Sequence, residues 1–210
     1  MFDQTLFNSI CSVKCTDEEL KNFVSKIDKK EFDLNNAFEK YYSLERILHA
    51  IDKYKTQQID DIFLANWANA YNWIIMSGFK ISSQNKKNGV KEIVVDEISE
   101  WLDALSFFET DNEDCFEMER YTAVFSTLDR VYKNANEWAV KCVHDDYDSE
   151  TKRILLFNAN SKAYLEIQRD CYDDYAVDGQ LLKDKDAFDK ALKDLKESGY
   201  IEMPYAGEME

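Results

Sequence analysis

Glycine and proline are scarce in this chain, which has only five Gly and one Pro among 210 residues. A sandwich of many short strands needs frequent turns, and a glycine-lined phosphate loop needs several glycines close together. The sequence therefore argues against both architectures and predicts long helices instead.

Long apolar runs are also missing, since the longest, such as residues 73–76, are far too short to span a bilayer. No N-terminal stretch joins a basic head to an apolar run, which is the pattern of a secretory leader. The five cysteines are an odd number in a chain of ordinary size, which favours reduced thiols over a disulfide framework. We therefore expect a cytoplasmic protein that does not bind membranes.

Basic residues are fewer than acidic ones. The chain has 26 Lys and Arg and 42 Asp and Glu, which gives a formal net charge of −16. Such a charge repels phosphate backbones at long range, so direct nucleic-acid binding is disfavoured. The excess is uneven: residues 81–150 hold seventeen acids and seven bases, a net charge of −10. Either a local acidic field with a function or a solvated face explains this pattern.

The densest acidic stretch is also the clearest amphipathic helix. Residues 92–119 contain eleven Asp or Glu and no Lys or Arg. Apolar residues recur there at helical spacing: Val94, Ile98, Trp101, Leu105 and Phe108. At about 100° per residue the opposite face carries four acids, which we call the acidic ridge: Glu92, Asp96, Glu100 and Asp103. The pattern predicts a helix with its apolar side toward the core and its ridge toward water.

Helical spacing continues on both sides of the ridge. A capping box of Thr16 and Glu19 predicts a first helix, and residues 37–54 predict a second. Residues 59–76 are apolar on every side, which is typical of a helix surrounded by others. After the ridge, a heptad pattern over residues 112–142 predicts one long helix.

Beyond residue 148 the apolar spacing changes from helical to alternating. Residues 153–157 and 162–168 predict the two strands of a hairpin. Asp178-Gly179 predicts a tight turn, and Asp186 is the expected cap of a last helix.

These elements together predict a mainly α fold, in which helix dominates residues 16–143 and strands come only after residue 148. An N-terminal multi-helix bundle over residues 1–148 carries a small C-terminal α+β unit, a hairpin plus a helix, over residues 149–210. We expect the two to pack as one continuous globule.

Two pairs of acids three residues apart offer an enzymatic alternative. They are Glu97 with Glu100 on the acidic helix, and Asp114 with Glu117 at the start of the next. Carboxylate pairs on adjacent helices resemble the magnesium site of all-helical nucleoside triphosphate pyrophosphatases. The second pair departs from the Glu-x-x-Asp of that family, and the resemblance covers some twenty residues. It implies a magnesium-dependent nucleoside triphosphate hydrolase.

Two further sets of polar residues are candidate sites. His49 with His144-Asp145 resembles the ligand order of metal phosphohydrolases, but His144 ends a predicted helix where that family places its ligands within helices. Three asparagines of the apolar helix either line a ligand pocket or pair with neighbouring groups: Asn66, Asn69 and Asn72. Outside the magnesium alternative we expect no catalytic residue, metal or cofactor.

Aromatic residues among the acids favour protein recognition. Phe107 falls on the ridge side of the helical wheel, and a ring among carboxylates has the composition of a binding hot spot for a basic partner. If the helix frays near Ser106, Phe107 turns inward instead. The same composition extends the predicted face into two C-terminal segments: Asp145, Asp146, Tyr147 and Asp148, and Tyr172, Asp173, Asp174 and Tyr175.

The sequence therefore predicts a non-enzymatic binding or inhibitor protein that occupies the basic surface of a protein partner. Nucleases and toxins present such surfaces, and toxin immunity proteins and nucleic-acid mimics are acidic inhibitors of that kind. The similarity to these inhibitors is one of general type, and no sequence motif supports it. A magnesium-dependent hydrolase, and a scaffold or small-ligand sensor, are the alternatives.

Overall fold

The computed structural model describes residues 4–27, 37–77, 89–107, 114–146, 151–158, 160–170, 176–182 and 185–197. Contacts divide the chain into two compact units, Met1–Ile81 with Asp96–Ser126 and Ser82–Val95 with Thr127–Glu210. The sequence interpretation of residues 1–148 and 149–210 as two regions stays a prediction, because contacts group residues by proximity and not by element type.

The predicted fold class is confirmed, since the described chain is mostly helical with a small antiparallel sheet near its C-terminal end. The helices are α1 (Gln4–Cys11), α2 (Asp17–Ile27), α3 (Ala37–Tyr41), α4 (Leu44–Lys55), α5 (Asp61–Met76), α6 (Val90–Ser106), α7 (Asp114–Lys133) and α8 (Lys185–Glu197). The strands are β1 (Trp138–Asp146), β2 (Thr151–Asn158), β3 (Ala163–Asp170) and β4 (Ala176–Leu182). Among the described helices, none combines the length and the apolar character needed to cross a membrane.

The predicted capping box is present at the start of α2. The backbone N–H of Thr16 donates to Oε2 of Glu19 over 2.8 Å, and the N–H of Glu19 donates to Oγ1 of Thr16 over 3.2 Å. Each side chain satisfies a donor that the first helical turn leaves without a partner.

Two helices end in the same reversed turn, and neither uses glycine for it. After α4, Gln57 has φ 58° and its N–H donates to the Tyr54 carbonyl, while the Gln58 N–H donates to the Lys53 carbonyl. After α1, Val13 has φ 54°, and a matching pair of bonds closes the helix. This is the Schellman motif, whose left-handed residue is usually glycine. In a chain with five glycines, Val and Gln occupy these positions.

The prediction of one continuous second helix is wrong. The chain leaves the helical path at Tyr42 and Ser43, so that two helices form, α3 and α4. The break is held by α5: the Tyr71 hydroxyl accepts from the Ser43 N–H over 2.9 Å and donates to the Tyr41 carbonyl over 3.0 Å. The side chain of Arg46 also donates to that carbonyl. A tertiary contact therefore overrides a helical pattern.

The long helix predicted to reach Cys142 is also wrong, and so is the confinement of strands to the region after residue 148. α7 ends at Lys133, a 3-10 turn covers Ala135–Glu137, and β1 begins at Trp138. Trp138 and Val140 are buried while Ala139 and Lys141 are exposed, which is the period of a strand.

The four strands form one antiparallel sheet in the order β1-β2-β3-β4, so the predicted hairpin of β2 and β3 is confirmed within a larger sheet. A bulge interrupts β1 between Val140 and Cys142. The turn predicted at Asp178-Gly179 is wrong, because both residues lie inside β4, opposite Gln168 and Ile167 of β3.

Both faces of β2 are buried, which explains its unbroken apolar run. Leu155 packs with Phe188 and Ala191 of α8, and Ile154 and Leu156, on the other face, have no exposure. On the Leu155 face, Nε of Arg153 donates to Oε1 of Glu166 over 2.8 Å, and both side chains are largely buried.

α5 is the central helix of the first unit, where it contacts α1, α2, α3 and α4. Its Trp67 is fully buried and donates to the Ile10 carbonyl over 2.8 Å. The expectation that α5 is covered on every side is wrong, because Ile62 and Trp73 are exposed.

Candidate protein-binding face

The acidic helix forms as predicted and separates its two sides. Four of the predicted core residues of α6 are buried: Val94, Ile98, Trp101 and Leu105. On the ridge side, Asp103 is exposed and the other three acids are half-buried. The helix is longer than four turns, and its apolar side holds the ridge in place.

Among the ridge acids, Asp103 has a shifted pKa. Partial burial raises the pKa of its carboxyl, and the neighbouring negative charge of Glu100 raises it further. Among the described residues, Asp103 and Glu92 form no ion pair. Lys91, the one basic residue of α6, has its Nζ 5.1 Å from the ring centroid of Tyr132. The carboxylates of Glu100 and Asp103 therefore repel each other.

Phe107 lies at the C-terminal end of this ridge. Its backbone N–H donates to the Ala104 carbonyl over 3.1 Å, and Oγ of Ser106 donates to the Asp103 carbonyl over 2.7 Å. These bonds close the last turn of α6, and the Phe107 side chain is 58% exposed. The alternative, in which fraying turns the ring inward, is not the conformation of this structure.

The C-terminal part of the predicted face lies mostly outside the described residues. Asp145 and Asp146 belong to β1, opposite Lys152 and Thr151 of β2, but only their backbone is described. Six members lie outside the described residues altogether: Tyr147, Asp148, Tyr172, Asp173, Asp174 and Tyr175. Their part in the face stays a prediction.

The first two acids of the predicted magnesium site, Glu97 and Glu100, differ in burial. Glu97 is completely buried, on the side of α6 that also carries Trp101, whereas Glu100 is half-buried on the ridge. The side chains of Asp114 and Glu117 lie outside the described set. Within that set no group of three or more possible ligands is close enough to hold a metal ion.

Burial of Glu97 is a feature that the sequence interpretation missed. Trp101 follows Glu97 on α6, and its ring centroid lies 5.8 Å from Cζ of Arg120 on α7. Tyr121 packs edge-on against the same indole, with ring centroids 5.6 Å apart. The signal was available, because Glu97 is four residues before Trp101 and shares its side of the helix.

A cleft of about 480 Å³ opens in the first unit, where the ends of α1 and α4 meet the starts of α2 and α5. Its charges are balanced, with Lys14 and Lys53 against Asp17 and Asp60. Nζ of Lys53 is already used, since it donates to the Val13 carbonyl over 2.7 Å. The cleft is therefore a helix junction without a distinctive chemistry.

The three asparagines of α5 do not act alike. Nδ2 of Asn72 donates to the Ser99 carbonyl over 3.1 Å, and Oδ1 of Asn72 accepts from Oγ of Ser99 over 2.9 Å. Asn72 therefore ties α5 to α6. Asn66 and Asn69 are half-buried, and neither makes a hydrogen bond with a described residue.

Comparisons with protein-family models, curated proteins and solved structures found no match to this chain.

Proposed function

We propose that this chain is a non-enzymatic binding protein that uses its acidic ridge and Phe107 to occupy a basic surface of a protein partner. The observation that supports this most is the exposed ring of Phe107 at the end of a helix that carries four acids on the same side, one exposed and three half-buried. Half of an aromatic ring left in water is a cost that a partner's pocket removes.

Charge and ring have different roles in this proposal. The carboxylates of the ridge steer a basic partner during the encounter, and salt screens them with a Debye length of about 8 Å at physiological ionic strength. The ring acts after the encounter, because an apolar anchor that becomes desolvated slows dissociation. Affinity should therefore depend on both features, through different rate constants.

The proposed partner is a basic protein such as a nuclease or a toxin, and the proposed activity is inhibition by occupation of its basic site. A net charge of −10 over residues 81–150 supports a partner with an extended positive surface. The proposed compartment is the cytoplasm, which the free thiols of Cys11 and Cys15 support.

The decisive variant replaces Glu92, Asp96, Glu100 and Asp103 by Lys together. A matched control makes the same change in net charge at four exposed acids outside the ridge: Glu18, Glu39, Asp52 and Glu119. Binding to a purified cationic nuclease is measured for both by surface plasmon resonance at low and physiological salt, with an acidic protein of similar size as the negative control. The ridge variant should lose binding, and the control variant should keep most of it.

Replacement of Phe107 by Ala tests the anchor separately. We expect an unchanged association rate and a dissociation rate raised about 30-fold, which corresponds to about 2 kcal/mol. The four-Lys ridge variant should melt at the same temperature as the wild type or slightly higher, because four Lys at these positions halve the net charge of −16 and so reduce repulsion within the chain. Equal losses in ridge and control variants would mean that net charge alone causes binding, and binding that survives in the ridge variant would refute the proposal.

A further inference from the structure

α5 carries a second exposed surface of a different chemical character. Among the described residues three large apolar side chains are exposed, and two of them are on α5: Ile62 at 57% and Trp73 at 45%. Their separation of eleven residues brings them within about 20° of each other around the helix and about 16 Å apart along it. Aligned in this way, the two side chains lie on one stripe that a second molecule can contact along its whole length.

Two asparagines lie between them on the same stripe. Asn66 and Asn69 are half-buried, and neither amide makes a hydrogen bond with a described residue, in contrast to Asn72. Each amide offers both a donor and an acceptor. We call these four residues, Ile62, Asn66, Asn69 and Trp73, the α5 stripe.

No charged residue follows Asp61 in α5, although the chain as a whole carries a net charge of −16. Asp61 itself lies about 100° away from Ile62 around the helix. An uncharged stripe cannot steer a basic partner, and it does not repel a like-charged one locally. It therefore suits an occupant that is itself uncharged at the point of contact.

The order of residues along the stripe is symmetric about its midpoint, between Trp67 and Ala68. Ile62 and Trp73 lie equally far from that point, and so do Asn66 and Asn69. A second α5 running antiparallel about a two-fold axis there sets Ile62 opposite Trp73 of the other copy and each Asn66 opposite an Asn69. Apolar then meets apolar, and amide meets amide, at both ends of the contact.

We propose that the α5 stripe is the interface of a weak homodimer in which two α5 helices pack antiparallel. This interaction goes beyond the proposed binding of a basic partner by the ridge, and it does not depend on it. One helix of sixteen residues buries less than about 1,200 Å² in such a pair, so the dimer dissociates in the micromolar range or above.

Salt distinguishes the two interactions. Two chains of net charge −16 repel each other at long range, and salt screens this repulsion. The homodimer therefore strengthens as the salt concentration rises, whereas binding of a basic partner to the ridge weakens. A failure of one proposal thus leaves the other testable by the opposite trend.

Sedimentation velocity of the full chain, at concentrations up to about 500 μM because the interface is small, measures the dimer at low and high salt. Trp73→Glu should weaken association at least about 10-fold, since it places a charge in an apolar contact. The matched control is Phe107→Glu, which makes the same kind of change at an exposed ring on α6 and should leave the dimer unaltered. Circular dichroism checks that both variants keep their helix content.

Cross-linking tests the antiparallel register. Chains carrying Asn66→Cys are mixed with chains carrying Asn69→Cys and oxidised, with the wild-type chain as background for its own cysteines. The mixture should form a disulfide-linked dimer, and each variant alone should not. A wild type that stays monomeric over the whole range, or a Trp73→Glu chain that dimerises as well as the wild type, would overturn the proposal. Cross-linking by Asn66→Cys alone would overturn the antiparallel arrangement.

Discussion

The hydroxyl of Tyr71 on α5 accepts a hydrogen bond from the backbone N–H of Ser43 over 2.9 Å. Ser43 lies in the gap between α3 and α4, and the same hydroxyl donates to the Tyr41 carbonyl on the other side of that gap. Tyr71 is fully buried, and its ring stacks on Trp67 with centroids 4.9 Å apart. One phenol therefore supplies partners for two backbone groups that a continuous helix would have bonded itself.

Tyr71→Phe should lower the free energy of unfolding by about 1 to 3 kcal/mol, because it leaves the Ser43 N–H without its acceptor and removes one of the two donors to the Tyr41 carbonyl. Urea unfolding followed by circular dichroism measures the change. Tyr164→Phe is the control, since that ring also packs in a core but its hydroxyl makes no hydrogen bond with a described residue. A change of less than about 0.5 kcal/mol is expected there, and equal effects of the two substitutions would contradict this role of Tyr71.

Arg153 and Glu166 form a largely buried ion pair between β2 and β3. Arg153→Met should destabilise the protein by about 3 kcal/mol, because the carboxylate of Glu166 stays buried without its counter-charge. The double change Arg153→Met with Glu166→Leu should recover most of that loss, since it removes both charges. Lys21→Met breaks the exposed pair with Asp17 and should change the stability far less than Arg153→Met does. A double variant as unstable as the single one would contradict this account.

Stability should fall at alkaline pH because of two buried thiols. Burial raises the pKa of Cys11 and of Cys15 from 9.0 to about 11. The folded state keeps these protons while the unfolded state loses them, so the stabilisation is complete below about pH 9 and is lost as the pH rises toward about 11. Each thiol contributes a slope of about 1.4 kcal/mol per pH unit in that window.

Urea unfolding in a reducing buffer, repeated from about pH 8 to about pH 10.5, measures this slope. The variant with Cys11→Ala and Cys15→Ala should be less stable at neutral pH but should show a much shallower decline. Burial raises the pKa of Tyr71 as well, so a smaller decline remains. Parallel curves for variant and wild type would show that other groups cause the pH dependence.

Gln57→Gly should stabilise the protein by about 0.5 to 1 kcal/mol, because glycine adopts a φ of 58° without the strain that a side chain causes. The gain is limited by the extra freedom of glycine in the unfolded chain. Gln58→Gly, one residue further along, serves as the control and should destabilise, since Gln58 has no positive φ. Thermal unfolding of the two variants gives opposite shifts if the left-handed turn carries strain.

Local patterns predicted those elements whose stability is local. The capping box of Thr16 and Glu19, the amphipathic sides of α6 and the hairpin of β2 and β3 each need only near neighbours in the chain, and all three are present. The break at Ser43 was missed because its cause, Tyr71, is 28 residues away. β1 was missed because the apolar residues after Lys133 fit both a heptad and an alternating pattern over a short stretch, and pairing with β2 decides between them.

The candidate face was predictable to the same extent. Helical spacing places the four ridge acids on one side of α6, and the exposure of Phe107 agrees with its position on that side. Burial of Glu97 was not predicted, because the charge of a residue alone does not show which side of a helix it occupies, although the four-residue spacing from Trp101 does. The exposed stripe of α5 was missed for a similar reason, since apolar composition alone does not show which side of a helix lacks a neighbour.

Each strand of the sheet after β1 pairs with the strand that directly precedes it in the chain. During synthesis, every new strand therefore meets a partner that has already left the ribosome, and the sheet grows by one strand at a time without waiting for a distant segment. The exception is the face of Leu155, whose cover is supplied by Phe188 and Ala191 of α8. A nascent chain that stalls before α8 emerges thus exposes an apolar sheet face to chaperones and to other nascent chains. Docking of α8 covers this face and ends the period in which it can aggregate.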